Sequence, residues 1–341
     1  MKHCKFLYGR CQCVASLAFF FITLLLYSYY YVFYGKKALT PKCSKTVHLK
    51  SDRQIPQVYL INHPYFSKRL ENIEFLGNYT NKIRSSTYSL VIATYERPKC
   101  IERLFEKVMN FLPDDTEVVI CDDASKSPEK VAVLKEIAKE YIDQNVYVIR
   151  HKQGCGAFHT KLDGFLFCAG EFIMSIDDDD SFDNTYYQEI VKNASSKYDF
   201  IIPLHNNCFK WLNLPLHTID AFILMYHNLC TFAFRRALME KVEYPFYDVI
   251  IIRDDLPLVA PLYLNSDISK FKYFENRGMY RINSGCDTTH EGSKMNMKQY
   301  VRNGYDFIEA YMKKVNKENY IPSLKETYQD ILFENQCSMC K

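Results

Sequence analysis

Ile173-Met-Ser-Ile176-Asp177-Asp178-Asp179-Asp180-Ser-Phe182 sets four consecutive carboxylates at the end of a short apolar run. Adjacent carboxylates repel one another, so a strand ending in them needs a cation or solvent to screen the charge. A divalent metal would meet that need, and a solvated acidic turn is the plainer reading of such a run. A helix-loop-helix calcium loop is excluded: counting from Asp177 puts Phe182 where glycine is required and Gln188 where glutamate is required. The flanking sequence has to decide between metal site and turn.

Upstream, Ser89-Leu-Val-Ile-Ala93 is an apolar run that ends at Thr94-Tyr95-Glu96-Arg97-Pro98. Ile101, Leu104, Phe105, Val108 and Met109 follow at helical spacing, which gives strand, loop and helix. Thr116 to Cys121 is a second strand ending on Asp122-Asp123-Ala-Ser125, and a helix is expected from about Pro128 to Tyr141. Val146 to Ile149 is a third strand. Gly154-Cys-Gly156 then opens a helix carrying Phe158, Leu162, Phe165 and Leu166 towards a core, and Phe172 to Ile176 delivers the four Asp. Strands alternating with helices imply a parallel sheet covered on both faces, with ligands bound at the carboxyl ends of the strands. Neither G-x-G-x-x-G nor G-x-x-x-x-G-K-[ST] follows the first strand, which leaves out a dinucleotide fingerprint and a phosphate loop. Shorter segments come next: 198–202, 231–234, 249–252 leading into Arg253-Asp254-Asp255, 270–274 and 279–282. Residues 293–333 read as mostly helical.

The chain has 341 residues, 48% of them hydrophobic, with 43 basic and 40 acidic side chains and a formal charge of +3. That balance, without a basic block carrying interleaved aromatics, gives no reason to expect nucleic acid. Cys13 to Tyr34 holds no charged residue and is long enough for a membrane helix, with Tyr27, Tyr29, Tyr30, Tyr31 and Tyr34 at its far end. It is longer than a signal-peptide core, and no small-x-small cleavage site follows, so an uncleaved single-pass anchor is expected. Lys2, Lys5 and Arg10 before the span and Lys36, Lys37, Lys42 and Lys45 after it leave orientation undecided by charge. The short leading tail, with the glycosylation triplets Asn78-Tyr-Thr80 and Asn193-Ala-Ser195, favours a lumenal body in the Golgi or endoplasmic reticulum. The expected organisation is a tail over 1–12, an anchor over 13–34, a stem over 35–85, a catalytic domain over 86–290 and a helical segment over 291–341. Cys337-Ser-Met-Cys340 is a lone C-x-x-C pair, weak evidence for zinc, and reads rather as a disulfide or free thiols.

Four patches, in order, resemble the family 2 glycosyltransferases of the A-type nucleotide-sugar fold. Ala93-Thr-Tyr-Glu-Arg97 is similar to the family's P-T-Y-N-R, and Asp122-Asp123-Ala-Ser125 to its D-D-x-S. Gly156 to Ile173 resembles its G…A-R-N-x-G…A-x-G-x-[YF]-I stretch, with Lys161 in place of Arg, and Asp177-Asp178-Asp179-Asp180 matches its D-x-D-D. Ala93 in place of Pro, Glu96 in place of Asn and Leu162 in place of Asn depart from the pattern. The resemblance implies an α/β fold with a mixed, mostly parallel sheet and helices on both faces, here preceded by one transmembrane helix.

It further implies an inverting, metal-dependent transfer of one sugar from a nucleotide-sugar donor, UDP-linked, to a glycan, protein or lipid acceptor. Asp179 is then the ligand of manganese or magnesium with Asp177 as its partner, oxygen donors that suit hard cations, and Asp178 is given only a place in the turn. Thr94, Tyr95, Glu96, Asp122 and Asp123 would line the nucleotide, and Lys161 and Arg281 the diphosphate. Arg253-Asp254-Asp255 resembles the family's E-D motif, with Asp255 as general base and Asp254 beside it; His290 and Trp211 are lesser candidates. The rival readings are a sugar nucleotidyltransferase of similar fold and an inactive membrane-tethered glycan-binding module.

Overall fold

The computed structural model describes residues 69–77, 79, 86–204, 232–242, 255–275, 277–281 and 297–322. In chain order the elements are β1 (Ile73–Phe75), β2 (Tyr88–Thr94), α1 (Pro98–Met109), β3 (Thr116–Asp122), α2 (Pro128–Glu140), β4 (Val146–His151) and α3 (Ala157–Phe167). They continue with β5 (Phe172–Asp177), β6 (Ser181–Phe182), α4 (Asn184–Asn193), β7 (Phe200–Leu204), β8 (Ala233–Arg235), α5 (Asp255–Leu264), β9 (Phe271–Glu275), β10 (Tyr280–Arg281) and α6 (Met297–Lys314).

Alternation along the strands sorts side chains to the two faces of the sheet. Leu90, Ile92, Val118, Ile120, Val146 and Val148 pack with α1 and α2 on one face. Val91, Val119, Cys121, Tyr147 and Ile149 pack on the other with α3, α5 and α6. Both faces being apolar, the central strands read as continuous hydrophobic runs, and the layers stack as helix, sheet, helix.

The main sheet runs β1-β4-β3-β2-β5-β8-β7-β9. β2, β3, β4 and β5 are parallel, whereas β1 and β8 run antiparallel to their neighbours β4 and β5. The chain steps from β2 outward to β3 and β4, then returns through α3 to place β5 on the opposite side of β2. This reversal makes the β2/β5 boundary a topological switch point, where adjacent loops diverge and leave a crevice at the carboxyl ends. Ala93 is paired with Asp177 there, and Thr94 with Asp122. Two elements escape the sequence periodicity. β1, with three residues, lies inside the stretch read as an irregular stem and is too short to show a period. β6 pairs with β10, Ser181 opposite Arg281, bringing a residue one hundred positions distant onto the acidic run.

The expected single-pass membrane location is corrected. Among the described residues no helix is long and apolar enough to cross a membrane. The longest, α6, buries Phe307, Ile308 and Tyr311 in the core while Arg302–Asp306 and Glu309–Lys313 pair along its exposed side. It is an amphipathic surface helix. The run 13–34, like the segment 249–252 expected as a strand, lies outside the described residues.

Gly164 lets α3 approach the sheet closely: a Cβ there would stand 2.6 Å from Val91 Cγ1 and 2.8 Å from Cys121 Sγ. At an unconstrained helical site Gly→Ala stabilises by about 1 kcal/mol. Here Gly164→Ala is expected to lower the stability of the chain by about 1–3 kcal/mol through overpacking, read from urea denaturation; a stabilised variant would contradict the close packing.

Candidate active site

The four carboxylates have unequal surroundings. Asp178 is 0% exposed at its side chain, Asp179 11% and Asp177 33%. Asp178 accepts a hydrogen bond from Thr94 Oγ1, pairs with Arg97, and lies 3.7 Å from Lys130 Nζ. Lys130 also donates to Thr94 Oγ1 and to the Arg97 carbonyl. Burial pushes the Asp178 carboxyl up to about 6 against the pull of Lys130 and Arg97. The same burial brings Lys130 down to about 8 against the pull of Asp178 and Asp122. The residue assigned only to the turn is therefore the anchor of the run, and Lys130, which sequence reading passed over, is its counter-ion. The signal was present: Lys130 precedes Val133, Leu134 and Ile137 at helical spacing, which places it on the buried face of α2.

With Asp178 turned inward, its neighbours are free to face the crevice. Asp179 accepts from Arg97 Nη1 at 2.7 Å. Asp177 lies 3.0 Å from Lys161 Nζ, and the same ammonium is 3.3 Å from Asp255 Oδ1. Lys161 thus joins the end of β5 to the first residue of α5, and the two carboxylates lie within about 6 Å of each other. Asp180 accepts from Tyr280 Oη at 2.6 Å, and the residue that caps α4 is Asp183, which accepts from the Tyr186 amide at 2.8 Å.

The remaining predicted residues are placed as follows. Thr94 is buried among Asp178 and Lys130, and Tyr95, 40% exposed, stands at the surface. Glu96 adopts φ 60°, and its carboxylate accepts from the amides of Lys126 and Ser127 at 2.6 and 3.0 Å, holding the loop after β2 against the start of α2. Asp122 accepts from the Ser125 amide and hydroxyl and from Arg150 Nε, an Asx turn with an ion pair. Asp123 accepts from the amides of Cys155 and Gly156 at 2.7 and 2.9 Å. Burial works to raise the Asp123 carboxyl, but the hydrogen bonds from His151 and those amides outweigh it and hold it below its ordinary value. Arg281, exposed on β10, donates to Met279 Sδ. Asp254, Trp211 and His290 lie outside the described residues.

The donor set at the mouth of the crevice, carboxylate oxygens of Asp177 and Asp179 with partial exposure, suits a hard divalent cation such as manganese or magnesium. Chemically, the arrangement combines carboxylates of a kind able to hold a cation, the cations Arg97 and Lys161, and a separate carboxylate, Asp255, reached from another part of the chain.

Removing one member of a buried ion pair strands the other. Lys130→Met is therefore expected to cost about 3 kcal/mol of stability, and Lys130→Met with Asp178→Asn to cost much less than the sum of the single changes. Additive losses in a double-mutant cycle, measured by denaturant unfolding, would count against the pairing.

Comparison with known proteins gives the following likenesses. Residues 89–242 match the family model for Glycosyl transferase family 2. The putative glycosyltransferase EpsH of Bacillus subtilis (strain 168) is 32% identical over 117 residues, a stretch covering 33% of this chain and 32% of the relative. The chain thus spans about a third of the length of the curated relative it matches. Among solved structures, S. aureus TarS 1-349 in complex with UDP-GlcNAc is similar with a TM-score of 0.54 at 17% identity, over 73% of this chain and 74% of that one, a likeness of fold. Mannosyltransferase PcManGT from Pyrobaculum calidifontis, in complex with GDP-Man and Mn2+, gives a TM-score of 0.44 at 13% identity, over 75% of this chain and 77% of that one. The matched stretch, 89–242, contains the acidic run, Arg97, Lys130 and Lys161, so these residues lie within the region similar to Glycosyl transferase family 2.

Proposed function

We propose that the chain transfers a single sugar, with inversion, from a UDP-linked donor to a hydroxyl of a glycan, protein or lipid acceptor, within a catalytic domain over 86–290. The observation that carries this reading is the convergence of Asp177 and Asp255 on Lys161, since it brings the cation-binding end of β5 to a carboxylate able to act as base. A UDP sugar is the donor type named for the TarS structure of similar fold.

Asp255 accepts the proton of the acceptor hydroxyl as that oxygen attacks the anomeric carbon. The carbon–oxygen bond to the diphosphate breaks on the opposite face, and the nucleoside diphosphate leaves with the electron pair. A single displacement of this kind inverts the anomeric centre. Lys161 and Arg97 hold positive charge beside the acidic run, where charge develops on the leaving group. Asp179 and Asp177 would hold a manganese or magnesium ion, which supplies Lewis-acid stabilisation of the departing diphosphate. Asp123, with Tyr95 at the rim, would hold the nucleoside, and Arg281 would approach the diphosphate from β10.

Asp255→Asn is expected to lower sugar transfer by about 100-fold or more while leaving donor affinity near that of the parent chain. Asp179→Asn is expected instead to raise the manganese concentration needed for half-maximal turnover. Parent-like transfer by Asp255→Asn, measured as acceptor glycosylation, would remove that residue from the role of base.

A further inference from the structure

On the same edge of the sheet, away from the acidic run, lies a cluster with different donor chemistry. Asp123 directly follows β3, His151 ends β4, and Cys155 stands just before α3. His151 Nδ1 is 3.0 Å from Cys155 Sγ and 3.2 Å from Asp123 Oδ1. One ligand atom from each of the three residues lies within 4.8 Å of the others. The other imidazole nitrogen, Nε2, is 2.9 Å from Oδ2 of the fully buried Asp163 on α3. Cys155 is a free cysteine and is half-buried, and Asp123 is 16% exposed at its side chain.

We propose that Asp123, His151 and Cys155 form a binding site for Zn2+. Thiolate, imidazole and carboxylate together suit this borderline-soft ion, unlike the all-oxygen set of Asp177 and Asp179. Tetrahedral zinc, with Zn–S about 2.3 Å and Zn–N about 2.0 Å, sets sulfur and nitrogen roughly 3.5 Å apart. The observed 3.0 Å needs only a small opening of the Cys155 loop. Asp163 supplies the carboxylate that orients a metal-bound imidazole. Arg69, with Nη2 2.5 Å from Cys155 Sγ and Nε 3.3 Å from Asp163 Oδ2, can donate to a bound thiolate. Zinc entry displaces one proton from the Cys155 thiol and one from His151 Nδ1. One dication replaces two protons, so the net charge of the cluster is unchanged. The partial exposure of Asp123 and Cys155 gives the ion a way in and leaves a fourth position for water.

The site has a consequence that rests on the function proposed above. Asp123 there contacts the nucleoside, so zinc and donor compete for one carboxylate and zinc acts as an inhibitor.

The test is calorimetric titration of the full chain with Zn2+ alone, parent against Cys155→Ser. The parent is expected to take up one more equivalent than the variant. Equal stoichiometry would overturn the site. Cobalt titration gives a second readout, because a thiolate-to-cobalt absorption band should be present in the parent and weaker in Cys155→Ser. Zinc should also reduce sugar transfer by the parent and spare the variant. Extra zinc uptake without inhibition would uphold the site and overturn the shared use of Asp123. Absence of transfer under every condition would count against the proposed function and leave calorimetry as the judge of the site.

Discussion

The buried carboxylate of Asp178 governs the arrangement of the whole crevice. An unpaired carboxylate at that depth would be costly, and the protein meets the cost from three separate elements: Thr94 at the end of β2, Arg97 in the loop that follows, and Lys130 on α2. These contacts fix the exit of β5 against β2. The middle carboxylate of Asp177-Asp178-Asp179 is turned into the protein, while Asp177 stays partly exposed beside Lys161 and Asp179 pairs with Arg97. The spacing of two outward carboxylates separated by one residue thus follows from an internal anchor. Repulsion within the run is relieved by cations set along it: Lys161 beside Asp177, Lys130 beside Asp178, and Arg97 shared by Asp178 and Asp179.

The anchor works because of topology. β2 and β5 are adjacent only because the chain goes outward to β4 before crossing back through α3, and α3 lies close to the sheet because Gly164 offers no Cβ. That helix is also the one that carries Lys161 to Asp177 and Asp255. The packing of a glycine against Val91 and Cys121 and the position of a charged amine at the crevice are therefore two outcomes of one helix placement.

Much of this could be read in the sequence. The four parallel strands and the helices between them follow from apolar runs and helical spacing, and their polar ends at Thr94, Asp122 and Asp177 mark the crevice. The family resemblance points to Asp255 as well, although its partnership with Lys161 spans 94 positions and depends on tertiary packing. What escaped was of three kinds. β1 and β6 are too short to have a period, and although a strand was expected over 279–282, its pairing with β6 was not. The inward direction of Asp178 depends on its neighbours in space and is not encoded in a run of identical residues. Glu96 and Asp122 serve loop geometry in ways that side-chain type alone does not distinguish from ligand contacts. Lys130 is the instructive case, since its place on the apolar face of α2 was visible and a lysine there demands a buried anion. The apolar amino-terminal run was read as a membrane anchor on length and composition alone, and no helix among the described residues meets the requirements of a span.

The function proposed here makes one carboxylate cluster responsible for holding a cation and a nucleotide diphosphate together. The most direct measurement is release of nucleoside diphosphate by the full chain from a panel of sugar nucleotides, with manganese and with a chelator. The account predicts release from a UDP sugar that requires manganese and is abolished by chelation. Undiminished release in chelator, or none from any sugar nucleotide with manganese present, would contradict it.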